Sequence, residues 1–136
     1  MKEFNELADN ALQAMKRRAK QIGIRGVAVV AWSEGKRVGS WSSKMIAVGP
    51  ITGKSDKDPN GANFLGIAYT KAAEMADTQA HSGSGVRPPK KGEYGWRGGL
   101  VKKVKGGFLF AAFSGGPSAD DVNVSRAGLE ILAKLR

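Results

Sequence analysis

Residues 107–135 constrain the fold most strongly, because they read as a strand, a glycine turn and a helix in direct succession. Residues 107–114 are apolar and contain three phenylalanines, as is typical of a buried strand. Two glycines and a proline in residues 114–117 form the turn that ends it. Ser118 is then predicted to be the N-cap of a helix whose first turn holds Asp120 and Asp121, and Ser118 with Asp121 approximates a capping box. The segment predicts the closing unit of a small domain that contains both helices and strands.

Earlier segments of the chain predict five more elements. Apolar residues recur at helical spacing from Phe4 to Ile22, and Gly23 is a natural stop for that helix. Two strands, residues 27–32 and 38–48, are expected to pair as a hairpin through a turn at residues 33–36. The remaining elements are a helix over residues 62–79 and a strand over residues 96–104.

For the second and third predicted strands, the sequence also indicates a buried face and a pairing partner, respectively. In residues 38–48, Trp41 and Met45 share one face, which we expect to be the buried one. Residues 96–104 are expected to pair with residues 107–114 through a sharp turn at Lys105 and Gly106. Loops over residues 49–61 and 81–95 complete the chain, and the first is long enough to be functional, mobile or an oligomer contact.

The element order α-β-β-α-β-β-α predicts an α+β fold in which helices cover an antiparallel sheet. A length of 136 residues suits one domain, residues 1–136. No apolar run approaches the length of a transmembrane helix, and the first residues lack the apolar core of a signal peptide. We therefore expect a cytoplasmic protein that has no membrane partner.

Charge and cysteine content narrow the function classes. The absence of cysteine excludes disulfides, cysteine-bound zinc or iron–sulfur sites and a thiol nucleophile. A net charge of +10 attracts anions in general, whether nucleic acid, an acidic membrane or an acidic small molecule. It is equally the charge of a simple solvated surface. Since nothing in the sequence selects nucleic acid, we do not expect it as the main partner.

His81 is the single histidine of the chain. It lies where the second predicted helix ends and could act as a general base or as an axial ligand of haem iron. Favourable interaction with the C-terminal end of the helix dipole is the structural alternative. With no second histidine and no cysteine, we expect no conventional metal site.

Two glycine segments resemble phosphate-binding loops, residues 82–85 and 114–116. The first follows a helix instead of preceding one, and Asp120 and Asp121 would repel phosphate from the second. A Ser-His-Asp triad can be assembled only on paper from Ser114 or Ser118, because no nucleophile-elbow pattern supports it. We therefore expect a binding protein rather than an enzyme and assign no catalytic residue.

The loop before the fifth strand alternates basic and aromatic residues. Such a loop could stack on nucleobases or on a flat macrocycle and pair with its carboxylates. The alternative is a lid that packs against a neighbouring subunit. With the histidine that precedes the loop, the candidate ligand-binding residues are His81, Arg87, Lys90, Lys91, Tyr94, Trp96 and Arg97.

The strand–glycine–helix unit also resembles a known family. Residues 108–121, FLFAAFSGGPSADD, followed by SRAGLEIL at residues 125–132, look like the ending of the haem-degrading/HbpS-like and GlcG-like family, which includes the C-terminal domain of PduO-type proteins. The second helix, with Lys71 among its alanines, and the first helix leading into residues 27–30 fit the same pattern. The segment at residues 33–36, SEGK in place of Asp-Ala-Gly-Gly, and the basic, proline-containing loop at residues 82–95 depart from it.

The resemblance implies a profilin-like layered fold that commonly assembles into homo-oligomers. Its members include a haem-binding sensor, a domain of a corrinoid-related enzyme and a protein encoded with glycolate-oxidation genes. Our leading hypothesis is accordingly a non-enzymatic, oligomeric protein that binds an anionic small molecule, with haem or another tetrapyrrole as the candidate ligand. An accessory role in small-acid or corrinoid metabolism and non-specific nucleic-acid binding are the alternatives.

Overall fold

The computed structural model describes residues 2–56 and 58–135, and its regular elements follow the predicted order. Two short strands, Thr52–Gly53 and Ala62–Asn63, occur in addition and pair as a two-stranded ribbon beside the second helix. The elements are α1 (Lys2–Ile22), β1 (Gly26–Glu34), β2 (Trp41–Val48), β3 (Thr52–Gly53), β4 (Ala62–Asn63), α2 (Phe64–Thr78), β5 (Gly99–Val104), β6 (Gly107–Ser114) and α3 (Ser118–Leu132).

The main sheet has four antiparallel strands in the order β2-β1-β6-β5. The strand pairing of both predicted hairpins, β1 with β2 and β5 with β6, is confirmed, but the connection from β1 to β2 spans residues 35–40 instead of 33–36, because β1 continues to Glu34. The central pair joins β1 to β6, with Val27 opposite Ser114 and Glu34 opposite Gly107. Because strands β1 and β6 are far apart in the chain, this pairing is the one that closes the fold.

Helices cover both faces of this sheet. Helices α1 and α3 pack together on the face formed by Ala28 and Val30 of β1 and by Leu109 and Phe113 of β6. Helix α2 packs on the opposite face, where Val29, Phe110 and Ala112 are buried. Each large apolar side chain buried in this way contributes about 1.5–3 kcal/mol. The α+β, profilin-like layered arrangement predicted from the sequence is confirmed.

The prediction for β2 was wrong in its start and in its buried face. The strand begins at Trp41, while Val38 lies in the preceding loop and is 45% exposed. Trp41 packs on Phe110, with ring centroids 5.1 Å apart, but Met45 is 36% exposed. Ile46, assigned to the other face, packs against the α1–α3 core. The alternation of side chains along the strand could not identify a single buried face, because helices lie on both faces of the sheet.

Three element boundaries also differ from the prediction. Helix α2 begins at Phe64, where the Asn63 side chain caps it by accepting a hydrogen bond from the Gly66 N–H. The N-cap of α3 is Pro117, and Ser118 is already inside the helix. Strand β5 begins at Gly99, so Trp96 lies in the loop before it. Within residues 2–56 and 58–135, no helix is long and apolar enough to cross a membrane.

Candidate functional site

A cleft of about 650 Å³ lies at the end of the sheet where β6 finishes. Its walls are the β3–β4 ribbon, the first turns of α2, residues 94–97 and the glycine turn at residues 114–116. The loops predicted at residues 49–61 and 81–95 therefore meet at one place in the structure.

An aromatic pair forms one wall of this cleft. Tyr94 and Trp96 stack with their ring centroids 4.4 Å apart and an interplanar angle of 16°. Their side chains are 54% and 49% exposed, respectively. Two large rings held together and left half exposed form a surface on which a flat ligand can stack. Arg97, next in the chain, lines the same cleft.

The floor of the cleft contains a buried ion pair. Lys71 Nζ lies 3.1 Å from Asp121 Oδ2, and the two side chains are only 5% and 4% exposed. Lys71 Nζ also donates to the Phe113 carbonyl oxygen at 2.7 Å, and Asp121 Oδ1 accepts from the Gly116 N–H at 3.0 Å. The pair thereby fixes the glycine turn between α2 and α3.

Burial shifts the pKa values of both partners toward each other. Removal from water lowers the pKa of Lys71 below its ordinary value, although the Asp121 carboxylate opposes this shift. Burial likewise raises the pKa of Asp121 to about 6, against the opposing effects of Lys71 and of the Gly116 N–H. As a result, transfer of a proton from Lys71 to Asp121 is less costly than it would be between the same groups in water.

Sequence reasoning missed this pair. Lys71 lies on the stripe of α2 that faces the sheet, together with Ala68, Ala72 and Met75. The sequence signal that could have identified the pair is the position of Lys71, an ionisable residue placed at helical spacing within an otherwise apolar stripe. Asp121 was interpreted only as a capping residue that would repel anions, whereas its carboxylate is paired with Lys71.

The electrostatics of the cleft favour an anion. Lys54 and Arg97 line it, and so do Asn63, the N-cap of α2, and Ser118, the first residue of α3. Helix N-termini carry partial positive charge, so two of them add to the effect of the two cationic side chains. Asp58 opposes this field from the ribbon side and Asp120 opposes it in the first turn of α3, whereas the Asp121 carboxylate is paired with Lys71.

Buried hydrogen bonds hold residues 82–99 against the helices. Ser125 Oγ donates to the Gly98 carbonyl oxygen at 2.6 Å, and Ser82 Oγ accepts from the Gly99 N–H at 2.8 Å. Glu74 Oε2 accepts from the Gly83 N–H at 2.8 Å. The loop that carries the aromatic pair is therefore anchored at both ends.

Arg87, one of the predicted ligand-binding residues, joins this loop to α2 through hydrogen bonds. Its guanidinium donates to Asp77 Oδ2 at 2.7 and 3.0 Å and to both carboxylate oxygens of Glu93 at 2.8 and 2.9 Å. These hydrogen bonds lower the pKa of Glu93 to about 2, an effect to which the Lys90 backbone N–H contributes, and they raise the pKa of Arg87. We call this cluster of Asp77, Arg87 and Glu93 the loop clasp.

His81 lies outside the cleft. It borders a separate groove with Leu100 and Arg126, and its Nδ1 accepts a hydrogen bond from the Val101 N–H at 3.1 Å. A neutral imidazole that accepts at Nδ1 carries its proton on Nε2. Iron ligation through Nε2 would require the proton on Nδ1, where it would face the Val101 N–H. The structure therefore does not bring His81 to the aromatic pair.

The other predicted residues divide between the cleft and the surface. Tyr94, Trp96 and Arg97 come together at the cleft. Lys90 and Lys91 are exposed on the loop and do not line it. In the part of the chain that the structure describes, no three histidine or acidic side chains are grouped so that they could hold a metal ion.

Comparison with known proteins identifies the fold. No protein-family model matches the sequence, and no curated protein matches it. Among solved structures, Klebsiella pneumoniae protein ORFY, of the DUF336 family, superposes with a TM-score of 0.64 at 16% identity, covering 96% of this chain and 90% of that one. The PduOC–haem complex gives a TM-score of 0.63 at 14% identity, with 93% and 91% covered.

HbpS is a third structural neighbour, with a TM-score of 0.53 at 19% identity over 93% of this chain and 87% of that one. At these identities the likeness shows the fold. The neighbours are nevertheless the kinds of protein that the strand–glycine–helix segment resembles, so the resemblance is confirmed at the level of the fold.

Proposed function

We propose that this protein binds a flat, anionic small molecule in the cleft between the β3–β4 ribbon and the glycine turn. The stacked, half-exposed rings of Tyr94 and Trp96 carry the proposal, because they offer an aromatic face to a cleft with cationic walls. Lys54 and Arg97 would neutralise the acidic groups of the ligand.

A tetrapyrrole is the first candidate, since one structural neighbour is a haem complex. The residues present fit such a ligand: Trp96 would stack on the ring, and Arg97 and Lys54 would pair with its propionates. Of the described residues that line the cleft, none is histidine, and Trp96 would lie between the Tyr94 phenol and a macrocycle stacked on its open face. When bound, haem would supply redox or gas-binding chemistry, and these residues would hold and orient it.

Haemin and iron-free protoporphyrin, titrated separately, test the proposal. We expect both to quench tryptophan fluorescence and haemin to show a Soret shift. Trp96→Ala should weaken binding about 5- to 100-fold, the range that ~1–3 kcal/mol of stacking gives. Arg97→Ala should weaken it as well, whereas Arg17→Ala on α1, with the same charge change outside the cleft, should not. Unchanged spectra with both porphyrins at micromolar protein would remove tetrapyrroles as ligands.

Two further variants test the candidate iron ligands. Tyr94→Phe keeps the ring and removes the phenol oxygen, so it should leave the Soret band of bound haemin and the protoporphyrin affinity nearly unchanged. His81→Ala should leave both unchanged, because His81 lies outside the cleft. A Soret band that depends on His81 and not on Tyr94 would place haem in the His81 groove instead.

The homo-oligomer implied by the family resemblance is part of the same proposal. Strand β2 is an edge of the sheet, and the exposed apolar side chains of Val38 and Met45 lie in or just before it. Native mass spectrometry of the purified protein measures subunit number and any retained ligand together. A monomeric mass at micromolar concentration would contradict assembly without affecting the proposed ligand cleft.

A further inference from the structure

The Lys71 amine is a buried nucleophile that lines the ligand cleft, and simple binding gives it no task. Two hydrogen bonds are formed by Nζ, one to the Phe113 carbonyl oxygen and one to Asp121 Oδ2. A neutral amine has two hydrogens and one lone pair, so these two acceptors satisfy a neutral Lys71 and leave the lone pair free for a ligand.

Exposed lysines of the same chain differ from Lys71 in the surroundings of their amines. Lys90, Lys91 and Lys102 lie on the surface, where water stabilises the ammonium form. Lys71 lies in a dry site, and a carboxylate that can accept its proton is 3.1 Å away. Desolvation combined with an adjacent acid–base group is the arrangement that makes a lysine nucleophilic.

We propose that Lys71 forms an imine with the carbonyl group of a flat, anionic aldehyde or ketone bound in the cleft, with Asp121 moving the proton. The inference rests on the proposed function and specifies its ligand as a carbonyl compound. Tyr94 and Trp96 would stack on the ring of the ligand, and Arg97 and Lys54 would pair with its acidic group.

The step is balanced without an oxidant or a reductant. Asp121 takes a proton from the Lys71 ammonium, and the freed lone pair attacks the carbonyl carbon. As the C–N bond forms, the carbonyl π electrons move to the oxygen, and this oxygen takes a proton from the attacking nitrogen to give a neutral carbinolamine. Asp121 then returns its proton to the hydroxyl, which leaves as water while the nitrogen lone pair forms the C=N bond. The Lys71 ammonium and the carbonyl compound thus become a protonated imine and water, and Asp121 is a carboxylate again.

Glycine at position 98 is what lets the amine reach this site. A Cβ on Gly98 would overlap Lys71 Nζ and come within 3.0 Å of the Asp121 Cβ. The backbone of Gly98 is also fixed, because its carbonyl oxygen accepts the hydrogen bond from Ser125. The Lys71 amine therefore has space at this site because residue 98 has no side chain and its backbone is held in place.

Pyridoxal 5′-phosphate is a suitable probe because it is flat, anionic and an aldehyde. The wild-type chain would be incubated with the probe, reduced with borohydride and mapped by peptide mass spectrometry. We expect one probe per chain on Lys71 at a probe concentration that leaves Lys90, Lys91 and Lys102 unmodified. Lys71→Arg should abolish the visible absorbance of the imine, and the surface variant Lys102→Arg should preserve it.

Pyridoxine 5′-phosphate, which has an alcohol in place of the aldehyde, separates the inference from the function on which it rests. If it quenches the part of the tryptophan fluorescence that Trp96→Phe removes, but the aldehyde labels only exposed lysines, the cleft binds ligands and the imine proposal is overturned. If neither compound quenches fluorescence and Lys71 is unlabelled, both proposals fail for this ligand class. Because labelling is measured on the wild-type chain, the result does not depend on whether a Lys71 or Asp121 variant folds.

Discussion

Lys71 and Asp121 form a buried ion pair, with Nζ and Oδ2 3.1 Å apart, that joins helices from opposite faces of the sheet. Helix α2 covers one face and α3 the other, and the two side chains meet where β6 ends. The hydrogen bond from Lys71 to the Phe113 carbonyl oxygen ties this meeting point to the strand itself. The same contact therefore stabilises the layer arrangement and forms the floor of the proposed ligand cleft.

Removing one partner of this pair should be more costly than removing both. Lys71→Met or Asp121→Asn leaves a buried group without its counterion, which we expect to lower the free energy of unfolding by about 3–5 kcal/mol. The double variant should lose much less free energy of unfolding than the sum of the losses in the two single variants. Urea denaturation measures all three, and Lys44→Met, which breaks the exposed pair with Asp9, serves as a control with a loss of about 0–1 kcal/mol. Additive losses in the double variant would contradict the coupling.

The Asp121 carboxyl should titrate near pH 6 in the folded protein. Its pKa is near 4 in an unfolded chain, so between about pH 4 and pH 6 the folded state binds the proton more tightly. The contribution of Asp121 to stability therefore falls as the pH rises through this window. Carbon-13 NMR of labelled aspartate measures the pKa directly. Lys71→Met should raise it further, since the ammonium that favours the carboxylate is removed; a pKa near 4 in the wild type would contradict the prediction.

The loop clasp should persist to strongly acidic pH. Arg87 and the Lys90 N–H lower the pKa of Glu93 to about 2, below the value of about 4.3 for a free glutamate. Its stabilising contribution is thus fully present above about pH 4.3 and is lost as the pH falls through about 2. Carbon-13 NMR of the Glu93 carboxyl checks the value.

A variant of Arg87 tests the cause of that shift. Arg87→Met should return the Glu93 pKa toward its ordinary range and increase the mobility of Trp96, seen as faster nitrogen-15 relaxation-detected motion of its indole N–H. Lys91→Met, which removes a charge from the same loop without touching the clasp, is the matched control. An unchanged Glu93 pKa in Arg87→Met would show that the clasp does not form.

Alanine should be tolerated far less at Gly115 than at Gly85. Both glycines have positive φ, +141° and +78°, so alanine costs about 1–3 kcal/mol at either position from backbone strain alone. A Cβ on Gly115 would also overlap the backbone carbonyl oxygen of Arg25, which adds about 1–3 kcal/mol of repacking, whereas nothing lies within 4 Å of a Cβ on Gly85. Thermal unfolding of the two variants measures the difference, and equal losses would refute close packing at the glycine turn.

Local sequence patterns predicted the elements well where one pattern dominated. The helix ending at Ile22, strand β6 and both hairpins follow from apolar spacing and glycine positions, which act over a few residues. The buried face of strand β2 was predicted wrongly because its two faces pack toward different helices. The alternation of side chains along a strand shows that the two faces differ but not which helix each one contacts. The N-cap of α3 was misplaced because the Asp121 carboxylate bonds the Gly116 N–H as part of a buried pair.

The sequence by itself determined the order of the elements, the antiparallel layered fold and the basic aromatic loop, since each depends on neighbours along the chain. Only the tertiary structure decided which side chains meet. In the folded chain Tyr94, Trp96 and Arg97 line one cleft, whereas His81 lies in another groove. Arg87 forms hydrogen bonds that hold the loop, and Lys71 contacts Asp121, which lies fifty positions away in the sequence. The physical reason is that such contacts depend on how helices from both faces reach the end of one strand, which no local periodicity records.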